Sequence, residues 1–325
     1  MEGYEAVSKT VGFFEISNHG KIEVSGPDRV TFLHSMISNE VDGLKDWSGL
    51  YGTLLTARGR IISDFYYYKL SNCLIIDVRD DLINKTLQNL DRYIVMDEVH
   101  LKDISETKRH FSFQGPHSLD LMKEIFGLSE MVDQYVVQKQ KWEDQEVWLI
   151  RKDLISSLGF EIILPSSIGN SFEQSVLEKG EKLGLKRISE DAFEVLRVEF
   201  KHPKYGLDMG ENRYPMEAQL HEAISLTKGC YVGQEVVAKA TNIGGVANLL
   251  IGLKLNGSIV PTGETPVKDG DKQIGVITSA VFSPRLKCAI ALAYLKRPFV
   301  EVGKKYYVDI GKDEGVVAEV VEKFI

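Results

Sequence analysis

The chain has 325 residues, 43% hydrophobic and 26% charged, which is more than one hydrophobic core usually holds and excludes disorder and fibrous repeats, so two or three packed domains are expected. Lys and Arg number 39 against 47 Asp and Glu, a mildly anionic balance that argues against direct nucleic-acid binding while leaving room for one local cationic pocket. Cys73, Cys230 and Cys288 are widely separated, which suits neither a disulfide framework nor a zinc site and indicates a reducing compartment. Met1 to Glu5 lacks the charge and apolar run of a secretory signal, and no apolar stretch of about twenty residues could span a bilayer, so a cytoplasmic protein is expected.

Residues 20–25 read as a strand, and Gly26-Pro27-Asp28 turns the chain into a helix whose start suits Pro27 and Asp28 and whose apolar face is Phe32, Leu33, Met36 and Ile37. Residues 50–56 and 61–70 form a hairpin around Ala57-Arg58-Gly59-Arg60, with Gly59 free to take positive φ. Strand alternation places Ile62, Asp64, Tyr66 and Tyr68 on one face of the second arm and Ser63 on the other. A strand at 74–78 and a helix over 80–95 follow, then a mixed stretch over 108–185 with strands at 111–113, 147–150 and 160–164 and helices at 119–126 and from 172 onward. Helices and strands alternate without doubly wound order, which predicts an α+β fold. Beyond residue 249 short apolar runs at 250–255, 272–276, 289–294, 305–309 and 316–321 alternate with Pro and Gly turns, the pattern of a small antiparallel barrel or sandwich. The expected division is residues 1–245 as two intertwined α+β subdomains and 246–325 as a separate barrel domain. None of the seven histidines forms a pair at metal-ligand spacing, so no metal site is expected and each reads as a surface or core residue.

Three places carry candidate chemistry. Asp64 shares its strand face with aromatic and aliphatic side chains, which is either a solvent-facing strand position or an acid that pairs with ring N–H donors of a flat heterocycle. Glu199 falls in the last turn of a helix capped by Ser189 and stopped before Pro203; the helix dipole disfavours a carboxylate there, so Glu199 is either a solvated acid or one that binds something. The octad Lys228-Gly229-Cys230-Tyr231-Val232-Gly233-Gln234-Glu235 packs a cation, a thiol, an amide, a carboxylate and two glycines together. Cys230 reads either as a small buried hydrophobe or as a nucleophile whose thiolate is favoured by Lys228 and by the start of a helix running toward Ala240.

The octad resembles the signature of the YgfZ family, Lys-Gly-Cys-aromatic-X-Gly-Gln-Glu. The Gly26-Pro27-Asp28 turn, the Tyr51 to Asp64 hairpin, Leu196-Arg197-Val198-Glu199, and Gly275-Val276-Ile277-Thr278-Ser279 with Ser283-Pro284 are similar to the broader aminomethyltransferase superfamily of the glycine-cleavage T-protein. The resemblance implies an α+β, three-domain cloverleaf around a central tetrahydrofolate site with a C-terminal antiparallel β-barrel. It implies folate contacts by Glu199, Asp64, Arg197, Tyr51, Lys228, Gln234 and Lys239, with Arg197 supporting Glu199, and catalytic roles for Cys230 and Asp64. Members of the family are implicated in assembly, maintenance or repair of iron–sulfur enzymes and in tRNA modification, which implies iron–sulfur client proteins as partners of a monomer. One-carbon transfer proper, moving an aminomethyl or methyl group onto tetrahydrofolate, is the enzymatic alternative. Aminomethyltransferases tend to carry two adjacent acids where this chain has Ser63-Asp64.

Overall fold

A computed structural model describes residues 1–16, 19–242, 245–311 and 315–325. The chain folds as two compact units: residues 1–54, 63–192 and 227–231 form the first, and residues 55–62, 193–226 and 232–325 the second. The first unit is α+β. One of its sheets orders the strands Ser48–Leu55, Ile61–Lys69, Leu74–Arg79, His19–Ser25 and His100–Asp103. The other orders Leu185–Arg187, Val11–Glu15, Lys108–Gln114, Gly159–Pro165, Gln145–Arg151 and Val137–Trp142. Tyr68, Leu70 and Ile75 of the five-stranded sheet pack against Val137, Ile150 and Ile163 of the six-stranded sheet. The helices Ser118–Phe126 and Gly169–Gly180 cover the six-stranded sheet through Leu121, Met122, Ile125, Phe172 and Val176, closing the larger core of the unit.

Phe32, Leu33 and Met36 of the helix Arg29–Met36, and Ile37 after it, are buried as their spacing predicts. Its N-terminus differs from expectation. Asp28 makes no capping bond to the helix; its carboxylate accepts the Glu98 N–H at 2.8 Å, so the acid ties down a distant loop. The helix expected over 80–95 spans only Ile83–Asp91 after a 3-10 turn at Asp80–Leu82, and Val95 and Met96 are exposed. Ile94 continues the apolar spacing but is only half-buried, and Val95 beyond it has no surface to cover.

The second unit centres on a closed barrel in the order Asn248–Leu255, Cys288–Lys296, Lys272–Ser283, Pro266–Asp269, Lys305–Val308 and Val316–Val321. All six strand pairs are antiparallel, and the inward Leu253, Val267, Ile277, Ala291 and Val320 fill the interior. Closure settles the choice between barrel and sandwich: it leaves no unpaired sheet edge. Among the described residues no helix is long and apolar enough to cross a membrane.

Candidate functional site

In the first unit the alternation of Ile61–Lys69 sends Asp64 and Tyr66 to one face and Ser63 to the other, where the Ser63 hydroxyl accepts a hydrogen bond from Thr86 at 3.0 Å. The Tyr51 hydroxyl donates to Asp64 Oδ2 at 2.8 Å. Oδ1 of the same carboxyl is buried and, among the described residues, has no hydrogen-bond partner. The Tyr51 ring lies 4.8 Å from Tyr66, which lies 5.6 Å from Tyr135, so the ring bonded to the acid heads a row of three tyrosines. Burial pushes the Asp64 pKa above its ordinary value, against the Tyr51 hydrogen bond and the positive fields of Arg79 and His19. Burial, and then the Asp64 charge, push the Tyr51 phenol well above its own ordinary value. The reading of Asp64 as a solvent-facing strand residue is therefore set aside: a buried acceptor without a donor beside aromatic faces is equipped to take an N–H from a flat ligand.

Lys228 does not serve the thiol. Its Nζ donates to the carbonyls of Ile37 and Asn39, each at 2.8 Å, and to that of His34, clamping the chain that follows the helix Arg29–Met36. Burial brings its pKa down to about 8. The expectation that Lys228 stabilises a Cys230 thiolate is corrected on this ground, because three backbone dipoles already claim the ammonium. Tyr231 is buried, whereas Cys230 is exposed and unpaired by any disulfide, so it is not a small core hydrophobe.

The remainder of the octad lies in the second unit. Gly233 adopts φ +84°, and a Cβ there would meet the Thr56 carbonyl oxygen at 2.6 Å, so this glycine is required by close approach to the tip of the hairpin. Gln234 begins the helix Gln234–Asn242, as predicted. Lys239 is exposed on that helix and pairs with Glu235 at 2.6 Å.

Also in the second unit, Glu199 is the last residue of the helix Glu190–Glu199 and only 2% exposed, so it is not a solvated acid. The Ser283 hydroxyl donates to its Oε1 and accepts the Leu286 N–H at 3.1 Å. Arg197 was expected to support Glu199 and does not. Its guanidinium donates to Glu194 at 2.7 Å, Asp208 at 2.9 Å, Ser279 at 2.8 Å and the His202 carbonyl at 3.2 Å. Residues two apart on a helix face different directions, which is why Arg197 and Glu199 have separate partners. Lys201 then takes φ +57°, and its N–H and that of His202 close the helix end before Pro203, as expected.

Sequence reasoning noted Ser283 without assigning it a role, and missed Asp208, Tyr135 and a buried ionic group formed by Asp77, His110 and Glu161, whose ligand-type atoms lie within 4.8 Å of one another. A partial signal for the last was present: Glu161 is the one charged side chain in the otherwise apolar strand Gly159–Pro165, and Asp77 interrupts the apolar run 74–78, whereas His110 sits in a strand rich in polar residues. Spacing along the chain could not reveal the group, because each member comes from a different strand.

Residues 1–228 match the GCVT N-terminal domain and residues 249–325 the glycine cleavage T-protein C-terminal barrel domain. An aminomethyltransferase of Caldanaerobacter subterraneus is 28% identical over 325 residues, covering 98% of this chain and 86% of the relative. One of Thermotoga maritima is 30% identical over 327 residues, covering 99% of this chain and 88% of the relative. The crystal structure of the glycine cleavage system aminomethyltransferase T from Bartonella henselae matches with a TM-score of 0.89 at 19% identity, over 99% of this chain and 88% of that one, which shows a common fold.

Proposed function

Because the chain belongs to the glycine-cleavage T-protein family, we propose that it binds tetrahydrofolate and transfers a one-carbon unit, aminomethyl or methyl, onto it. The observation that carries the reading is Asp64, one oxygen held by Tyr51 and the other buried without a donor beside the rings of Tyr51 and Tyr66. Aromatic faces offer a wall to a flat heterocycle, and the free carboxylate oxygen accepts a ring N–H and thereby fixes the orientation of the ligand. When bound, tetrahydrofolate supplies the nitrogen that accepts the one-carbon unit. A carboxyl whose pKa is raised by burial is closer to proton exchange near neutrality than an exposed one, which suits Asp64 to hold or release a proton as that nitrogen reacts. Ser63, turned to the opposite face and bonded to Thr86, leaves the acid work to Asp64.

The test is a thermal shift with tetrahydrofolate followed by an assay for 5,10-methylenetetrahydrofolate from a lipoyl-bound or N-methylated amine donor. A ligand that binds only the folded chain must raise apparent stability. The proposal expects a shift and product; neither shift nor product across such donors counts against it.

One observation favours a second reading. Cys230 stands exposed within the octad, as a thiol acting on a partner must, and the YgfZ-type reading makes the protein a folate-binding factor for assembly, maintenance or repair of iron–sulfur enzymes. It predicts that loss of the protein lowers iron–sulfur enzyme activity and that Cys230→Ser fails to restore it. Full rescue by Cys230→Ser removes the thiol from the mechanism.

A further inference from the structure

We propose that Lys152 is a positioning residue: its buried ammonium, seated on the Tyr66 ring, fixes the tyrosine pair that orients Asp64. The inference rests on Asp64 being the folate-facing acid. Lys152 directly follows the strand Gln145–Arg151 and is 2% exposed. Its Nζ lies 3.5 Å from the centroid of Tyr66, the Tyr66 ring is 4.8 Å from that of Tyr51, and Tyr51 donates to Asp64 at 2.8 Å. Three direct contacts thus run from an ammonium near the six-stranded sheet to the acid on the five-stranded one.

The ionic group missed by sequence reasoning explains how that ammonium stays buried. Lys152 Nζ donates to Glu161 Oε2 at 3.0 Å and lies 3.6 Å from Asp77 Oδ2, while Lys21 Nζ donates to Asp77 Oδ1 at 2.9 Å. His110 completes the set through Nε2, 3.0 Å from Glu161 Oε2; burial, then the Lys21 charge, lower its pKa, so the imidazole is neutral and Nε2–H is the donor. Two lysine cations therefore balance two carboxylates, and His19 Nδ1 also lies 3.2 Å from Asp77 Oδ1. A divalent metal on Asp77, His110 and Glu161 would compete with both ammoniums for the same oxygens and add charge to a cluster that is already neutral, which burial opposes. The group reads as a frame for Lys152 and not as a metal centre. Buried ion networks contribute little stability that apolar packing could not supply, whereas a desolvated ammonium over an aromatic face is a strong, directional contact. What this network adds over an apolar core is a Tyr66 ring held in one place.

The test uses the full chain carrying Lys152→Met with Glu161→Gln, which removes one cation and one carboxylate together and leaves the Lys21 and Asp77 pair intact. The carboxyl titration of Asp64, assigned with Asp64→Asn, is followed by carbon NMR without ligand, and tetrahydrofolate affinity is measured in parallel. The expected result is a folded double variant in which Asp64 titrates at higher pH than in wild type and tetrahydrofolate binds about tenfold more weakly, with Lys152→Arg restoring both. An unchanged Asp64 titration in the folded double variant overturns the proposal. Should the double variant not fold, Tyr66→Leu breaks the same chain of contacts without altering any charge and must raise the Asp64 titration alike; an unchanged titration there also overturns it. The NMR arm needs no ligand, so absence of tetrahydrofolate binding to wild type would defeat the functional proposal and leave this test standing.

Discussion

Replacing Tyr51 by Phe removes one hydroxyl and, with it, the hydrogen bond that Asp64 Oδ2 receives at 2.8 Å. Since Oδ1 is already buried without a partner among the described residues, the variant removes the one side-chain donor the carboxylate has. A hydrogen bond to a charged group contributes about 1.5–3 kcal/mol, and the loss falls on the ionised form only. Burial already holds the Asp64 pKa above 3.8, so between that value and the folded pKa the native chain binds more protons than the unfolded one. In that window stability declines as pH rises, and Tyr51→Phe steepens the decline. Hydrogen-exchange stability of the Ile61–Lys69 strand should then fall by about 1.5–3 kcal/mol at pH 7 and by much less near pH 4, where the carboxyl is closer to neutral. Carbon NMR should show Asp64 titrating at higher pH in the variant. Equal destabilisation at both pH values, or an Asp64 titration that stays in place or moves down, would refute the reasoning.

Lys228→Met strips a donor from three carbonyls, and at roughly 1 kcal/mol for each bond the urea stability of the first unit should fall by about 3 kcal/mol; Cys230→Ser, at an exposed position, should change it by less than about 0.5 kcal/mol. Gly233→Ala forces a side chain into a left-handed conformation and against the Thr56 carbonyl, so it should cost at least about 1–3 kcal/mol, read from thermal unfolding of the second unit. His110 is kept neutral by burial, with its folded pKa below the ordinary 6.5; the unfolded chain therefore takes up the proton first, and stability should decline as pH drops below about 6.5. That part of the acid decline should vanish in His110→Gln, as followed by melting temperature against pH.

Much of this architecture could be read from local chemistry. The hairpin, the alternation that separates Ser63 from Asp64, the Ser189 cap, which accepts the Ala192 N–H at 3.3 Å, and the helix from Gln234 toward Ala240 depend on neighbours within a few residues, which sequence patterns report. What escaped depends on distant partners. Lys228 looked like a companion of Cys230 because they are two residues apart, yet its ammonium answers to carbonyls 189 to 194 residues away. Arg197 and Glu199 looked like one unit for the same reason, and the helical rotation between them gives each its own acceptors and donors. The Ser63-Asp64 pair becomes intelligible only with Thr86 in place: a second acid at position 63 would be buried against a helix on the face away from the tyrosines. The Lys152, Glu161, Asp77 and Lys21 network is likewise invisible to spacing, since its members come together only when two sheets pack.

The most direct test of the central claim is calorimetric titration of the intact chain with tetrahydrofolate beside the same titration of Asp64→Asn, which keeps the size of the side chain and removes its charge. The account predicts binding by wild type and a folded Asp64→Asn protein whose affinity is lower by about tenfold or more. Heat-silent wild type, or a variant that binds as tightly as wild type, would contradict it.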